Sequence, residues 1–211
     1  MKEYTFKENS THILFGNGKI PYNQTVKKLL NGAKKIICID GGADKLLKIG
    51  FEPTLIIGDL DSLDNDPKNY NCEVMKISNQ SNTDLEKGLD WCQQNNIQTV
   101  ALVGFTGLRD DHYLASLWSM LHYSDRIDCT IISDQYKILC LKGLSKLHVS
   151  EGQTISIITS SPNTLIKTKG LKYNLSEEKL LSPGNGISNV ASGEIIEINS
   201  DNWVWVFIKY A

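Results

Sequence analysis

The sequence predicts a mixed α/β protein, with a parallel-sheet N-terminal domain followed by a smaller C-terminal all-β sandwich domain. Three observations carry this. Short, continuously apolar runs alternate with helical patterns up to about Tyr136; beyond it only short β-rich runs remain, broken by Gly, Pro, Ser and Asn; and acidic residues gather directly behind the apolar runs of the first part.

The apolar runs lie at Thr11–Phe15, Ile36–Ile39, Leu55–Ile57, Val74–Ile77, Thr99–Val103 and Cys129–Ile132. They are unbroken rather than alternating, as befits strands covered on both faces of a parallel sheet. Helices are expected between them. One starts near Ala43 and stops at Gly50, a favourable residue just past a helix end. A second starts at Thr83, where Thr83 and Glu86 have capping-box spacing and Leu85 and Leu89 share a face. A third carries Leu114, Leu117 and Leu121 at helical spacing. Strand–helix alternation of this kind gives right-handed crossovers and a parallel sheet.

The later runs, Gln153–Thr159, Leu165–Lys169, Glu194–Asn199 and Trp203–Tyr210, read as sandwich strands. The change of pattern falls between Ser133 and Gly143, dividing the chain into 1–138 and 139–211. Trp203, Trp205 and Phe207 share one strand face and are expected in the core or a subunit contact.

Composition narrows the function. Hydrophobic residues make up 41% and charged residues 22% of the 211, an ordinary globular balance. A formal charge of −2 without a basic run speaks against nucleic-acid binding. No window resembles a membrane span, and the start, MKEYTFKENS, resembles no signal peptide. The five cysteines, Cys38, Cys72, Cys92, Cys129 and Cys140, have no C-x-x-C pair, so reduced core thiols and a cytoplasmic location are expected.

The chemistry sits in the acids. Ile36–Ile39 runs into Asp40-Gly41-Gly42-Ala43-Asp44, and Leu55–Ile57 into Gly58-Asp59-Leu60-Asp61-Ser62. Ligands of open parallel sheets bind beyond the carboxyl ends of strands, which is where these residues stand. If Asp59-Leu60-Asp61 is extended, both carboxylates project to one side, and a cation between them relieves their repulsion. Magnesium, which takes one or two carboxylates plus waters and substrate phosphates, suits Asp40, Asp59, Asp61 and Asp84. Asp84 alone also fits a residue complementing a helix dipole. Gln80-Ser81-Asn82-Thr83 is polar enough to hydrogen-bond a nucleotide. Gly104-Phe105-Thr106-Gly107-Leu108-Arg109-Asp110-Asp111-His112 matches neither G-x-G-x-x-G nor a P-loop, so helix-start amides, Arg109 and a metal would have to cradle phosphates. Arg109 alternatively pairs with Asp110 or Asp111, and His112 reads as a hydrogen-bonded residue at a helix start.

Taken together, DGGAD, GDLDS, Q-x-x-T-D, G-x-x-G-x-R-x-D-H and a late GISN, in this order from Asp40 to Asn189, resemble the thiamine pyrophosphokinase family. The resemblance implies a Mg-dependent transfer of diphosphate from ATP to the thiamine hydroxyl by a homodimer. Its active sites would lie at the dimer interface, with ATP and metal on the catalytic α/β part, 1–138, and thiamine held partly by the partner's β domain, 139–211 serving thiamine binding and dimerisation. Residue by residue it implies Asp40, Asp59, Asp61 and Asp84 at the magnesium and polyphosphate site, and Gln80, Thr83, Arg109 and Asp111 along the nucleotide and diphosphate. It puts Ser188 and Asn189 near thiamine. For in-line transfer one carboxylate has to accept the hydroxyl proton, and Asp84 and Asp111 are the candidates. Two positions depart from the family pattern: Leu108 replaces a second glycine before the arginine, and Val190 an acidic residue after Ser-Asn. Alternative readings are a pyrophosphokinase acting on another alcohol, such as a pterin, and a non-catalytic sensor of thiamine or nucleotide.

Overall fold

The structure, a computed structural model, describes residues 2–4, 11–79 and 81–210. The chain forms two compact units, residues 7–134 and residues 135–211 together with the N-terminal strand β1 (Lys2–Tyr4). A division at residue 138 assigns that strand to the first domain, whereas it pairs in parallel with a strand of the second.

The first unit is built on a six-stranded parallel sheet: β2 (His12–Phe15), β3 (Lys35–Ile39), β4 (Leu55–Gly58), β5 (Glu73–Lys76), β6 (Thr99–Val103) and β7 (Asp128–Ile132). The lateral order is β7-β6-β2-β3-β4-β5. The chain moves outward from β2 through β3, β4 and β5, then returns to the other side of β2, so the order reverses between β2 and β6. Each predicted apolar run is a strand to within a residue or two, and the middle ones are buried throughout, as two covered faces require.

Among the described residues four α-helices accompany this sheet. α1 (Gln24–Gly32) has no counterpart in the sequence reading; Asn23 caps it by accepting from Val26 N at 3.0 Å, and Val26, Leu29 and Leu30 form its short buried stripe. α2 (Gly42–Lys48) ends before Gly50, whose φ of 84° lies in the left-handed region open to glycine. α3 (Asp84–Gln94) carries the complete capping box: Thr83 Oγ1 accepts from Glu86 N at 3.3 Å and Glu86 Oε2 from Thr83 N at 2.8 Å. α4 (Asp110–Tyr123) is the helix expected from the spacing of Leu114, Leu117 and Leu121, and Leu117 and Leu121 are half-buried on it. Its buried residues are Ser116, Ser119, Met120 and Tyr123, while Leu114 is 57% exposed. Helical spacing identified a helix, but its most covered face combines two small serines with Met120 and Tyr123.

In the second unit two long strands, β8 (Tyr136–His148) and β13 (Ile195–Lys209), pair along most of their length. The register slips at a corner, where Ser200 faces Gly143 but Val204 faces Leu141. Gly143 has a φ of 74° there. Before the corner β13 pairs with β10 (Leu165–Lys169), which pairs with β11 (Ser176–Lys179); after it β13 pairs with β9 (Thr154–Thr159), which pairs with β12 (Asn189–Val190). Both halves close over one aliphatic core that includes Leu139, Leu141, Ile155, Ile157, Ile166, Ile196 and Ile198. Val204, Val206 and Ile208 supply that core, so the aromatic residues alternate onto the other face, with Trp205 buried and Trp203 and Phe207 half-buried. Among the described residues no helix is long and apolar enough to cross a membrane, and the five cysteines are free thiols.

Gly88 shows how tightly α3 is seated. A Cβ there would lie 2.6 Å from Ile39 Cδ1 and 3.3 Å from both Leu14 methyls. Gly88→Val is expected to lower stability by about 1–3 kcal/mol through overpacking, read as a fall in the urea midpoint with an unchanged slope.

Candidate active site

The order reversal between β2 and β6 opens a crevice at the carboxyl ends of the strands, and the loops there are laced together. Gly16 N donates to Val103 O at 2.8 Å, Gly18 N to Gly104 O at 2.6 Å and Lys19 N to Thr106 O at 2.9 Å. The approach is close enough that a Cβ on Gly16 would lie 2.7 Å from Gly104 O. Gly16-Asn17-Gly18 carries no role in the sequence reading, although G-x-G directly after an apolar strand was a visible signal. A cavity of about 840 Å³ opens here, lined in part by Asn17, Asp40, Asp59, Thr83, Asp84 and Arg109.

Three expected acids converge beside it, Asp40 and Asp59 lining the cavity and Asp61 adjoining them. Asp40, Asp59 and Asp61 each offer an oxygen within 4.8 Å of the others. Asp40 is 5% exposed and its Oδ1 is buried without a hydrogen-bond partner. Burial raises its proton affinity, a hydrogen bond with Ser62 opposes the shift, and the charges of Asp84, Asp59 and Asp61 add to it. Its backbone is left-handed, with φ of 48°. The Asp59-Leu60-Asp61 segment is not extended, so the extended arrangement on which the sequence reading is conditional is not the one adopted. Leu60 takes φ of 69°, and this left-handed turn, with Asp61 N donating to Asp59 Oδ1 at 3.3 Å, brings the carboxylates together. Asp44 of the same D-G-G-A-D motif is structural: it accepts from Tyr70 Oη at 2.6 Å and Asp64 N at 2.9 Å.

Asp84 lines the cavity at the start of α3 but lies outside this three-acid group. Its Oδ1 accepts from Lys87 Nζ at 2.7 Å. The Lys87 side chain is only 4% exposed, so the ammonium is a buried counter-charge beside the acids. A lysine three residues after an aspartate on a helix is too common for the sequence to have singled it out. Thr83 is committed to the capping box; Gln80 lies outside the described residues.

Across the cavity, Arg109 and Asp111 pair through two bonds, Nε–Oδ1 at 3.1 Å and Nη2–Oδ2 at 2.6 Å. Of the two partners the sequence offered, Asp111 is the one used, and the guanidinium holds its carboxyl down to about 2. His112 N donates to Asp111 Oδ1 at 2.9 Å, a contact at the helix start.

Ser188 and Asn189 lie in the second unit and line a separate cavity of about 450 Å³ with Tyr173, Leu180, Leu181 and Ile187. Ser188 is left-handed, with φ of 59°. The Asn189 amide is occupied by backbone: Oδ1 accepts from Tyr173 N at 3.1 Å and Val190 N at 2.9 Å, and Nδ2 donates to Tyr173 O at 2.6 Å. It acts as a clamp that presents the exposed Tyr173 ring.

The arrangement has close relatives. Residues 26–132 match the family model "Thiamin pyrophosphokinase, catalytic domain", and residues 136–205 match "Thiamin pyrophosphokinase, vitamin B1 binding domain". The chain is 29% identical over 206 residues to thiamin pyrophosphokinase 1 of Caenorhabditis elegans, spanning 85% of this chain and 84% of that protein. Two solved structures share its fold. Thiamin pyrophosphokinase from Candida albicans superposes with a TM-score of 0.83 at 19% identity, over 97% of this chain and 90% of that one. The Bacillus subtilis thiamine pyrophosphokinase gives a TM-score of 0.80 at 21% identity, over 96% and 99%. A catalytic-domain match across half the sequence, continued by the vitamin-binding match, establishes that the chain belongs to the thiamin pyrophosphokinase family.

Proposed function

We propose that the thiamine pyrophosphokinase activity of this chain is a magnesium-dependent diphosphate transfer from ATP to the thiamine hydroxyl, releasing AMP. The observation that carries the reading is the convergence of Asp40, Asp59 and Asp61 within 4.8 Å, with the buried Asp40 Oδ1 lacking a partner. The donor set fits magnesium, which prefers carboxylate oxygens and leaves positions for phosphate and water. Bound by these three acids, the ion supplies charge neutralisation for the polyphosphate.

The chain's own residues do the rest. The amides at the start of α3 and the Arg109 guanidinium supply donors for phosphate oxygens from two sides of the cavity. Arg109 exchanges Asp111 for phosphate, which its exposed position permits. The thiamine hydroxyl oxygen attacks the β-phosphorus in line, a P–O bond forms, the bond from that phosphorus to the α-phosphate oxygen breaks, and AMP departs with the electron pair. The hydroxyl proton passes to a carboxylate. Asp84 and Asp111 both line the cavity and are the candidate acceptors. Thiamine lies against the Ser188, Asn189 and Tyr173 surface of the vitamin-binding unit, with Asn189 orienting Tyr173 rather than spending its amide on the ligand. The working form is a homodimer, and the exposed Leu114 and Trp118 of α4 suit a second copy.

The decisive assay incubates purified protein with ATP, magnesium and thiamine; AMP and thiamine diphosphate are expected in equal amounts, and ADP formation instead would refute diphosphate transfer. Asp61→Ala is expected to lower turnover at least about 100-fold and to weaken magnesium dependence, and near-normal turnover would remove it from the metal site. Asp40→Asn should be inactive yet more stable without magnesium by about 1–3 kcal/mol, since it removes a buried charge whose Oδ1 has no hydrogen-bond partner. Calorimetry in EDTA reads this as a rise in Tm, and a fall would show that Asp40 stabilises the metal-free fold. Trp118→Glu should shift the sedimentation coefficient from dimer to monomer; an unchanged value would place the interface elsewhere.

A further inference from the structure

Glu86 and Asp90 stand one turn apart on α3, and Ser119 and Tyr123 one turn apart on α4. They meet in pairs: Tyr123 Oη donates to Asp90 Oδ1 at 2.5 Å, and Ser119 Oγ donates to Glu86 Oε1 at 3.3 Å. The second oxygen of each carboxylate reaches the segment ahead of α3. Glu86 Oε2 accepts from Thr83 N at 2.8 Å, and Asp90 Oδ2 accepts from Asn82 Nδ2 at 3.0 Å. The helix whose start carries Arg109 and Asp111 is thereby braced to the polar segment on the other wall of the same cavity.

Asn82 lines that cavity. Its amide has one donor end and one acceptor end, and an ionised carboxylate only accepts. The nitrogen must therefore face Asp90, and Oδ1 is the end with no hydrogen bond among the described residues. The lock is strong for a polar contact, because Asp90 is itself gripped by Tyr123, which is 4% exposed. Burial and the adjacent Asp90 carboxylate both raise the Tyr123 hydroxyl, which keeps it a donor.

We propose that Asp90, held by Tyr123, is a positioning residue that fixes Asn82 with its Oδ1 as a hydrogen-bond acceptor for a donor on the nucleotide's base or ribose. This rests on the reading of the cavity as the nucleotide site and adds a specificity element to it.

Wild-type binding of magnesium–ATP is measured first by calorimetry, so that the two readings fail separately. No binding overturns the nucleotide reading; binding that Asn82→Ala and Asp90→Ala leave unchanged overturns this inference alone. Each single variant is expected to raise the KM for ATP by roughly five- to ten-fold, the loss of one hydrogen bond, with the KM for thiamine unchanged. Because Asp90 acts through Asn82, the double variant should be no worse than Asn82→Ala. Additive losses, or a parallel rise in both KM values, would mean that Asp90 only supports the fold. Tyr123→Phe gives a milder version of the same KM split should Asp90→Ala fold poorly. Inosine triphosphate, lacking the base amine, and the 2′- and 3′-deoxy analogues of ATP identify the donor. One of them should lose affinity with wild type but not with Asn82→Ala, and equal losses in both proteins for every analogue would overturn the assignment.

Discussion

Carboxylates brought within 4.8 Å of one another repel, and this repulsion is the constraint around which the first unit is built. Nothing in the side chains themselves favours the convergence, so the backbone has to impose it. Asp40 and Leu60 both occupy the left-handed region, which is unfavourable for residues with a Cβ by about 1–2 kcal/mol each. The glycines beside them serve close approach. A Cβ on Gly41 would lie 2.6 Å from the Asn17 amide nitrogen and from Ser62 O, and one on Gly42 would strike the Phe15 carbonyl. The loop after β3 is thus wedged between the loop after β2 and the turn after β4. Strain of this kind persists only where packing leaves the chain no alternative. That packing comes from strands buried on both faces and from α3 seated on Gly88.

Counter-charge is distributed with the same economy. Lys87 balances Asp84 from within the protein, while Arg109 and Asp111 balance each other in solvent. The buried pair is held within the protein and the exposed pair stands in solvent, so the two walls of the cavity differ in how firmly their charges are fixed. A cavity with both cations buried would have none to offer; one with both exposed would leave Asp84 to add its full charge to the acid group.

Much of this was legible in the sequence, for reasons particular to each element. Continuous runs such as Ile36–Ile39 and Val100–Val103 announce strands because a doubly covered sheet needs apolar residues on both faces. Asp40, Asp59 and Asp61 were legible because acids immediately after such runs have few structural uses. The Thr83–Glu86 box was readable as a local motif whose partners lie three residues apart. The rest depends on partners distant in sequence. Leu114 and Leu121 mark a helical face, but only the fold shows that Ser116 and Ser119 turn inward, where small side chains admit α3 and a contact with Glu86. The left-handed Leu60 breaks the propensity of its own residue type, so no local rule reveals it. Lys87 and Asp90 look like surface charges of an amphipathic helix until Asp84, Tyr123 and Asn82 appear beside them. In the second unit Gly143 interrupts β8 and hides a strand of 13 residues, because a glycine there reads as a loop.

The placement of β1 has a consequence for biosynthesis. Lys2, Glu3 and Tyr4 find their partners at Ser145, Lys146 and Leu147, so the whole parallel-sheet unit lies between the two halves of one strand pair. On a ribosome the first strand emerges well ahead of its partner, by on the order of ten seconds at ordinary elongation rates. Only towards the end of that interval is the full sequence of the parallel-sheet unit available, while the β unit still lacks the strand that β1 must join. The nascent chain therefore acquires Asp40, Asp59 and Asp61 before its β unit can close.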